Sequence, residues 1–190
     1  SSVRMTELIF DALIFKNKRG EYKGGLASSW KIDADQRGIR FVLREGVTWH
    51  DGRPFSADDV VFTIKAAQDP KTVFASKGSY RFVREVRSEG KYGVHMAFSK
   101  PIPEPERRFT FKILPKHAFR STAISRRDNF NRKPIGTGPF RVTQFGVRKI
   151  VLSANQQYWD PAKIKKVSME HTPDKRSQVA LLKYSGGSAG

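Results

Sequence analysis

The stretch from Leu43 to Asp69 constrains the fold of this chain more than any other part of its sequence. The apolar residues Ile39, Phe41 and Leu43 lead into it at every second position, a period that predicts a half-buried strand. Asp51-Gly52 then predicts a tight turn, because glycine accepts positive φ and aspartate can bond its own backbone. The chain is therefore expected to run out of a strand and turn back sharply.

A helix is predicted directly after this turn. Ser56 is a natural N-cap, and Asp58 and Asp59 place negative charge in the first turn, where the helix dipole favours it. Apolar residues recur at helical spacing as far as Ala67, and Pro70 ends the helix. The stretch thus reads as strand, turn and capped helix.

Short strands are predicted on both sides of this stretch. Trp30 and Ile32 are expected to pair with the strand at Ile39 across a turn at residues 33–38. Three prolines at 101, 103 and 105 favour an extended, non-helical passage, and Phe109 to Ile113 predicts another short strand. The remaining predictions are two strands around Glu89-Gly90-Lys91, a short helix or loop at 121–133, a hairpin of 141–145 and 149–154, a strand at 165–171 and a helix at 175–184.

A second tight turn is predicted at Gly136-Thr137-Gly138. Two glycines flanking a threonine, followed by Pro139, predict a strand-entry turn with a close approach of backbone to backbone. The segment is not a phosphate loop, because Gly-Lys-Ser/Thr does not follow and a strand, not a helix, comes next. Backbone contact with a ligand is the alternative role for this turn.

Composition limits the classes of function. The chain has 190 residues, no cysteine and a net charge of +18, and no apolar run approaches the roughly 20 residues needed to span a bilayer. The absence of cysteine excludes disulfides and thiol chemistry. The charge suggests either an anionic partner, such as nucleic acid or a membrane surface, or simply a basic protein. We favour the second interpretation because Lys and Arg are scattered along the chain.

Candidate catalytic and metal-binding residues receive structural interpretations. Asp58 and Asp59 point about 100° apart on a helix, so they cannot easily act as an acid–base pair. Four isolated histidines, at 50, 95, 117 and 171, lack the spacing of a metal site. No G-x-S-x-G elbow is present. We therefore predict no catalytic residue, no metal and no cofactor.

The order of residues from Leu43 to Phe62 resembles the first-lobe signature of the family 5 extracytoplasmic solute-binding proteins. These are the oligopeptide and dipeptide receptors of ABC importers. Similar family strings occur around Leu26 to Trp30, Ile113 to His117, Pro134 to Phe140 and Asn155 to Asp160. The main match falls at Leu43, Arg44, Gly46, Val47, Trp49, Asp51, Gly52, Pro54, Ala57, Asp58, Val60 and Phe62.

The resemblance implies a fold. It predicts an α+β protein with mixed or antiparallel sheets and few helices, forming one incomplete lobe of a bilobed periplasmic-binding-protein-like (class II, cluster C) receptor. Residues 6–102 would form a small N-terminal subdomain, and residues 103–184 part of the sheet that connects the lobes. Residues 185–190 would be a flexible end, with the second lobe and the leader absent from this chain.

The resemblance also implies a function, namely capture of peptides or similar solutes in the periplasm or elsewhere outside the cytoplasm, for delivery to a membrane permease. Binding would be non-covalent closure of two lobes, so the chain is not expected to be an enzyme. A single lobe is expected to bind weakly, and the ligand is not identified by the sequence. A basic module that binds nucleic acid or another anion is the alternative, although we expect no nucleic-acid partner.

The loop after the predicted helix is the candidate ligand contact. It carries three aromatic residues, Phe74, Tyr80 and Phe82, and in the family it lies near the cleft between the lobes. They could contact a ligand or cover the edge of a sheet, and both interpretations stay open. The motif residues are interpreted as mainly structural: Trp49, Asp51, Gly52, Asp58, Gly136, Thr137 and Gly138.

Overall fold

The computed structural model describes residues 2–73, 80–125, 128–146, 149–160 and 164–170. Within these ranges the chain forms two α-helices, nine strands and three short 3-10 helices. The α-helices are α1 (Ser2–Ile9) and α2 (Ala57–Gln68). The strands are β1 (Ile14–Lys16), β2 (Tyr22–Gly24), β3 (Ala27–Ile32), β4 (Gly38–Leu43), β5 (Val83–Ser88), β6 (Gly93–Phe98), β7 (Phe140–Phe145), β8 (Lys149–Ala154) and β9 (Lys166–Glu170).

The larger sheet has four antiparallel strands in the order β3-β4-β6-β5. The predicted hairpin between β3 and β4 is confirmed, with Trp30 opposite Phe41, and so are the strands on either side of Glu89-Gly90-Lys91. Along β4 the alternation is also confirmed, since Ile39, Phe41 and Leu43 are buried while the residues between them are exposed.

Helix α2 closes the buried face of this sheet. It begins after Ser56 and ends at Gln68, as predicted. The buried apolar side chains of α2 and β4 pack into the same core, which also contains the large side chains Trp49, Phe55 and Phe109. Burying such side chains is the main source of stability in a domain of this size, at roughly 1.5–3 kcal/mol each.

A smaller sheet, β7-β8-β9, is built from the predicted hairpin and the strand that follows it. Helix α1 packs against it. Its core is a separate cluster of buried residues, Ile9, Phe10, Phe140, Leu152 and Val167. A third pair, β1-β2, comes before the strands of both larger sheets in chain order.

Two local predictions were wrong. Residues 109–113 form no strand, and only Lys112 makes an isolated bridge, to Ala12. Their apolar pattern has another cause, because Phe109 and Ile113 are both buried in the core of the larger sheet. The passage predicted as extended contains a 3-10 helix at Pro105–Arg108, where proline presets a helical φ at the first position.

The fold class is confirmed as α+β with few helices, and every strand pairing in the described ranges is antiparallel. The described residues of the segment 121–133 include a short 3-10 helix, Asn129–Asn131. The helix predicted at 175–184 and the flexible end at 185–190 lie outside the described residues, and the boundary near residue 102 stays a prediction. Within the described chain, neither helix has the length and apolar character that crossing a bilayer requires.

Candidate functional site

The two turns singled out in the sequence meet in the structure, and His50 joins them. Its backbone N–H donates to the carbonyl oxygen of Gly136 at 2.8 Å. The backbone N–H of Gly136 donates to His50 Nδ1 at 3.2 Å, and His50 Nε2 lies 3.0 Å from the carbonyl oxygen of Gly138. We call these three bonds the His50 clamp. They connect positions 86 and 88 residues apart.

The clamp fixes the tautomer of His50. A backbone N–H can only donate and a carbonyl oxygen can only accept, so Nδ1 must be the acceptor and Nε2 must carry the proton. The imidazole is then neutral. Burial is the largest effect and lowers the pKa of His50 below its usual 6.5, against the hydrogen bond to Gly138. The nearby charge of Arg141 also lowers the pKa, and the charge of Asp51 raises it.

The turn at Asp51-Gly52 is held from its other side by His117. Asp51 Oδ2 lies 2.8 Å from His117 Nε2, and the imidazole of His117 stands edge-on to the Trp49 ring with centroids 6.2 Å apart. Gly52 has φ +86°, the conformation predicted for glycine in a tight turn. His117 lies in a 3-10 helix, Lys116–Ala118.

Asp59 is the buried centre of this region, with only 4% of its surface exposed. Its carboxylate accepts the indole N–H of Trp49 at 3.3 Å and the backbone N–H groups of Ser56 at 3.0 Å and Lys116 at 2.9 Å. Burial raises its pKa, while these donors act in the opposite direction. One side chain thus ties the segment around Trp49, the start of α2 and the 3-10 helix at Lys116 together.

Asp58, its neighbour in sequence, is different. Its side chain is exposed and pairs with Lys116 Nζ at 2.8 Å. Both residues lie in the first turn of α2, as predicted from the cap at Ser56. Local sequence pattern gives no sign of this further role of Asp59, because Trp49 and Lys116 are brought to it only by the tertiary fold.

The second turn makes the close backbone approach that was predicted. A Cβ atom on Gly136 would overlap the carbonyl oxygen of Ile9, and a Cβ on Gly138 would lie 2.7 Å from the same carbonyl group. The N–H of Gly138 donates to Ile9 O at 2.9 Å. Thr137 between them is 2% exposed and donates its hydroxyl to Asp11 at 3.1 Å.

Asp11 collects the polar contacts behind the second turn. Besides Thr137, the hydroxyl of Tyr158 donates to its carboxylate at 3.0 Å. Burial raises the pKa of Asp11, against the two hydroxyl donors and the charge of Lys112. Burial is also the largest reason that the pKa of Tyr158 is raised, and the charge of Asp11 adds to it. Nothing in the sequence pattern pairs residues as distant as these.

A small cleft of about 130 Å³ opens beside these contacts, between the turn after β4 and the turn after β8. Thr48 Oγ1 donates across it to Gln157 Oε1 at 3.2 Å. The guanidinium of Arg44 lies over the Trp159 ring at 4.3 Å, a cation–π contact. The cleft is lined by Glu45, Gly46, Val47, Thr48, Thr137, Gln157, Tyr158 and Trp159.

The aromatic residues predicted to contact a ligand divide between the described and undescribed parts of the chain. Phe74 lies outside the described residues. Phe82 is half-buried and its ring lies 5.6 Å from that of Phe98. Tyr80 stands edge-on to Phe111 at 4.6 Å, and burial raises its pKa to about 12. These contacts are compatible with packing and with ligand contact, so the predicted role stays a prediction.

Metal-binding geometry is absent from the part of the chain that the structure describes, where no three His, Asp or Glu side chains are grouped to hold an ion. Among the described histidines, two have a carboxylate partner, and each has one: His117 with Asp51, and His95 with Asp33 at 3.0 Å. The arrangement as a whole ties turns together through neutral and charge-assisted hydrogen bonds.

Comparisons with known proteins agree with this architecture. Protein XP55 of Streptomyces lividans is 32% identical over 178 residues, which cover 92% of this chain and 32% of XP55. NikZ from Campylobacter jejuni, solved with Ni(L-His), superposes with a TM-score of 0.81 at 30% identity over 87% of this chain and 34% of NikZ. The oligopeptide-binding protein AppA from Bacillus subtilis, solved with a nonapeptide, gives a TM-score of 0.82 at 25% identity over 91% and 36% of the two chains.

This chain spans about a third of the length of these relatives. The family described as bacterial extracellular solute-binding proteins, family 5 Middle, matches residues 21–188. The match includes both turns of the His50 clamp, and the resemblance noted in the sequence is confirmed. The chain therefore belongs to family 5 of the bacterial extracellular solute-binding proteins.

Proposed function

We propose that this chain is part of the extracytoplasmic receptor of an ABC importer, which binds peptides or similar solutes and delivers them to a membrane permease. The observation that carries the proposal is the family match over residues 21–188. The likeness to AppA, solved with a nonapeptide, supports a peptide ligand. The likeness to NikZ, solved with Ni(L-His), supports a wider range of small solutes.

The binding mechanism proposed is non-covalent and involves no reaction. Receptors that close around a ligand need rigid bodies that move as units. The two sheets are joined by the His50 clamp and by the Thr48–Gln157 contact, which supports their acting as one such body. Peptide binding of this kind depends on backbone hydrogen bonds and tolerates water in the pockets that receive side chains.

For the ligand contact we propose Tyr80 and Phe82, together with Phe74. Tyr80 belongs to an aromatic cluster with Phe82 and Phe111, and such clusters offer stacking surface at low entropic cost. The backbone carbonyl of Tyr80 accepts from Gln68 Nε2 at 3.0 Å, so its main chain is tied to α2. A tied main chain beside a half-buried ring is a suitable platform for a peptide.

The test is an NMR titration of the chain with peptides of two to nine residues, following backbone amides. Saturable shifts centred on residues 80–82, weakened by Tyr80→Ala, are expected if this surface contacts the ligand. Tyr92→Phe is the matched control, since Tyr92 is a half-buried tyrosine at the far end of the sheet. Saturable shifts that are centred elsewhere and insensitive to Tyr80→Ala would disprove these contact residues, but would still agree with the proposed receptor function.

The nucleic-acid alternative gains no support from the comparisons. Its only basis is the net charge of +18, and binding driven by charge alone falls steeply and linearly with salt on a log–log scale. The same NMR titration with a short DNA duplex decides between the two functions. Tight duplex binding with a steep salt slope, and no saturable peptide shift, would overturn the proposed function.

A further inference from the structure

We propose that His50 is an acid-sensitive clamp between the Asp51-Gly52 turn and the Gly136–Gly138 turn, complete when its imidazole is neutral and opened at its Nδ1–Gly136 bond when the ring is protonated. The inference rests on the geometry of the clamp and is independent of the ligand that the receptor takes. The proposed response is a change in the contact between two turns when His50 takes up a proton.

The geometry admits only the neutral ring. Both ring nitrogens are engaged, Nδ1 as an acceptor from Gly136 N–H at 3.2 Å and Nε2 as a donor to Gly138 O at 3.0 Å. A second proton would have to enter at Nδ1, where it would face the proton of the Gly136 N–H. The bond would become a repulsion between two donors, and the Gly136 N–H would lose its acceptor.

The surroundings oppose protonation more than they favour it. From β7, Arg141 repels a second positive charge, and from the turn of His50 itself Asp51 attracts it, although Asp51 is already bonded to His117. Asn155, after β8, donates to the same Gly138 oxygen at 3.2 Å and carries no charge. The hydrogen bond to the Gly138 carbonyl also favours the charged ring, but burial is the largest effect, and the pKa of His50 in the folded chain lies below the ordinary 6.5.

Stability should therefore fall as the solution becomes acidic. The unfolded chain takes up the proton near the ordinary pKa of 6.5, whereas the folded chain resists it until a lower pH. The stabilising contribution of the clamp is complete above pH 6.5 and is lost as pH falls through the folded pKa of His50. The window lies just below neutrality, where few other side chains titrate.

Opening of this bond would affect the cleft beside Trp159. Thr137 lies between the two glycines that His50 holds, lines the cleft and donates to Asp11. Loss of the bond between the Gly136 N–H and His50 Nδ1 removes one of the bonds that fix Thr137 in place. The clamp thus couples the protonation of one histidine to the wall of a cleft between the two sheets.

Two measurements on the full chain test the proposal. Long-range 1H–15N NMR of the imidazole should show the Nε2–H tautomer at pH 7.5, a pKa below 6.5, and a shift of the Gly136 amide with the same midpoint. Thermal unfolding between pH 7.5 and 5 should show a loss for the wild type that His50→Gln lacks. A glutamine amide offers one acceptor and one donor, as neutral histidine does, and does not titrate.

His95→Gln is the matched control, because His95 pairs with Asp33 on the outer face of the larger sheet, away from the clamp. This variant should keep the wild-type acid loss. A wild-type His50 in the Nδ1–H tautomer, or with a pKa at or above 6.5, would overturn the proposal. So would a His50→Gln variant that loses as much melting temperature in acid as the wild type. If His50→Gln fails to fold, the imidazole titration of the wild type decides alone.

Discussion

The two turns that meet at His50 use glycine for different physical reasons. Gly52 has φ +86°, and a Cβ atom there would meet no heavy atom within 4 Å. Gly136 has an ordinary φ, but a Cβ there would overlap the carbonyl oxygen of Ile9. The first turn needs glycine for its torsion angle and the second needs it for space. Similar sequence patterns can therefore encode different constraints, and substitutions at the two sites should have unequal costs.

The carboxylates behind the turns differ in a similar way. Asp59, behind the first turn, accepts only N–H groups, from Trp49, Ser56 and Lys116. Asp11, behind the second turn, accepts only hydroxyls, from Thr137 and Tyr158. An N–H group cannot become an acceptor, whereas a hydroxyl can rotate and accept. Replacing the Asp59 carboxylate with an amide should therefore destabilise the fold, whereas the same replacement at Asp11 should be tolerated.

Gly136→Ala is expected to have the largest effect. The added methyl group would meet backbone atoms of Ile9, which cannot move aside without displacing the chain between α1 and β1. Overpacking of this kind costs roughly 1–3 kcal/mol and sometimes more, and we expect the upper end. Urea unfolding followed by circular dichroism measures the loss. A cost below that of Gly52→Ala would contradict the distinction between space and torsion.

Asp59→Asn is expected to cost about 2–3 kcal/mol, because the new amide group would face N–H donors and leave at least one of them unsatisfied. Asp58→Asn is the matched control. It removes only the exposed pair with Lys116, which is worth about 0–1 kcal/mol. Both variants keep the size of the side chain and lose one charge at the start of α2. Equal destabilisation of the two variants in urea would show that the helix dipole, and not the buried bonds, is what matters.

Gly52→Ala is expected to cost roughly 1–2 kcal/mol, the usual penalty for placing a side chain in the left-handed region. No clash adds to it, since the space around Gly52 is open. Gly52→Asn should cost less, because asparagine accepts positive φ more readily than alanine. Chemical unfolding of the two variants in parallel gives the comparison. An asparagine variant as unstable as the alanine variant would mean that something other than φ selects glycine here.

Asp11→Asn is expected to have the smallest effect, within about 1 kcal/mol of the wild type at neutral pH. Thr137 and Tyr158 can each reorient a hydroxyl toward the amide. The folded pKa of Asp11 lies above the ordinary 3.8, so the wild type loses stability as pH rises through that window and the variant should not. Melting temperatures from pH 3.5 to 7 test both statements, and a large loss at pH 7 would show that the hydroxyls are fixed.

Local patterns were sufficient to predict most of the secondary structure. Strand β4 and helix α2 were correct because period-two burial and a capped apolar repeat are encoded within a few neighbouring residues. The strand at 109–113 was wrong for the complementary reason. Phe109 and Ile113 are apolar because they fill the core of the larger sheet, and a strand also needs a partner edge, which a local pattern cannot supply.

The sequence predicted the turns of the candidate site but not the contacts between them. Both turns and both glycine motifs were found, since turn chemistry is local. His50 was considered only as a metal ligand and dismissed, and its real partners lie 86 and 88 residues further along the chain. Asp59 and Asp58 were given the same role, although one is buried among three donors and the other is exposed.

By itself, the sequence determined the family, the α+β class, the capped helix and the positions of the two turns, because each depends on the order of nearby residues. The tertiary structure alone decided that the two turns touch, that His50 must be neutral to join them, and which of two adjacent aspartates is buried. Those features depend on distances between segments far apart in the chain, and such distances are set by the packing of whole sheets.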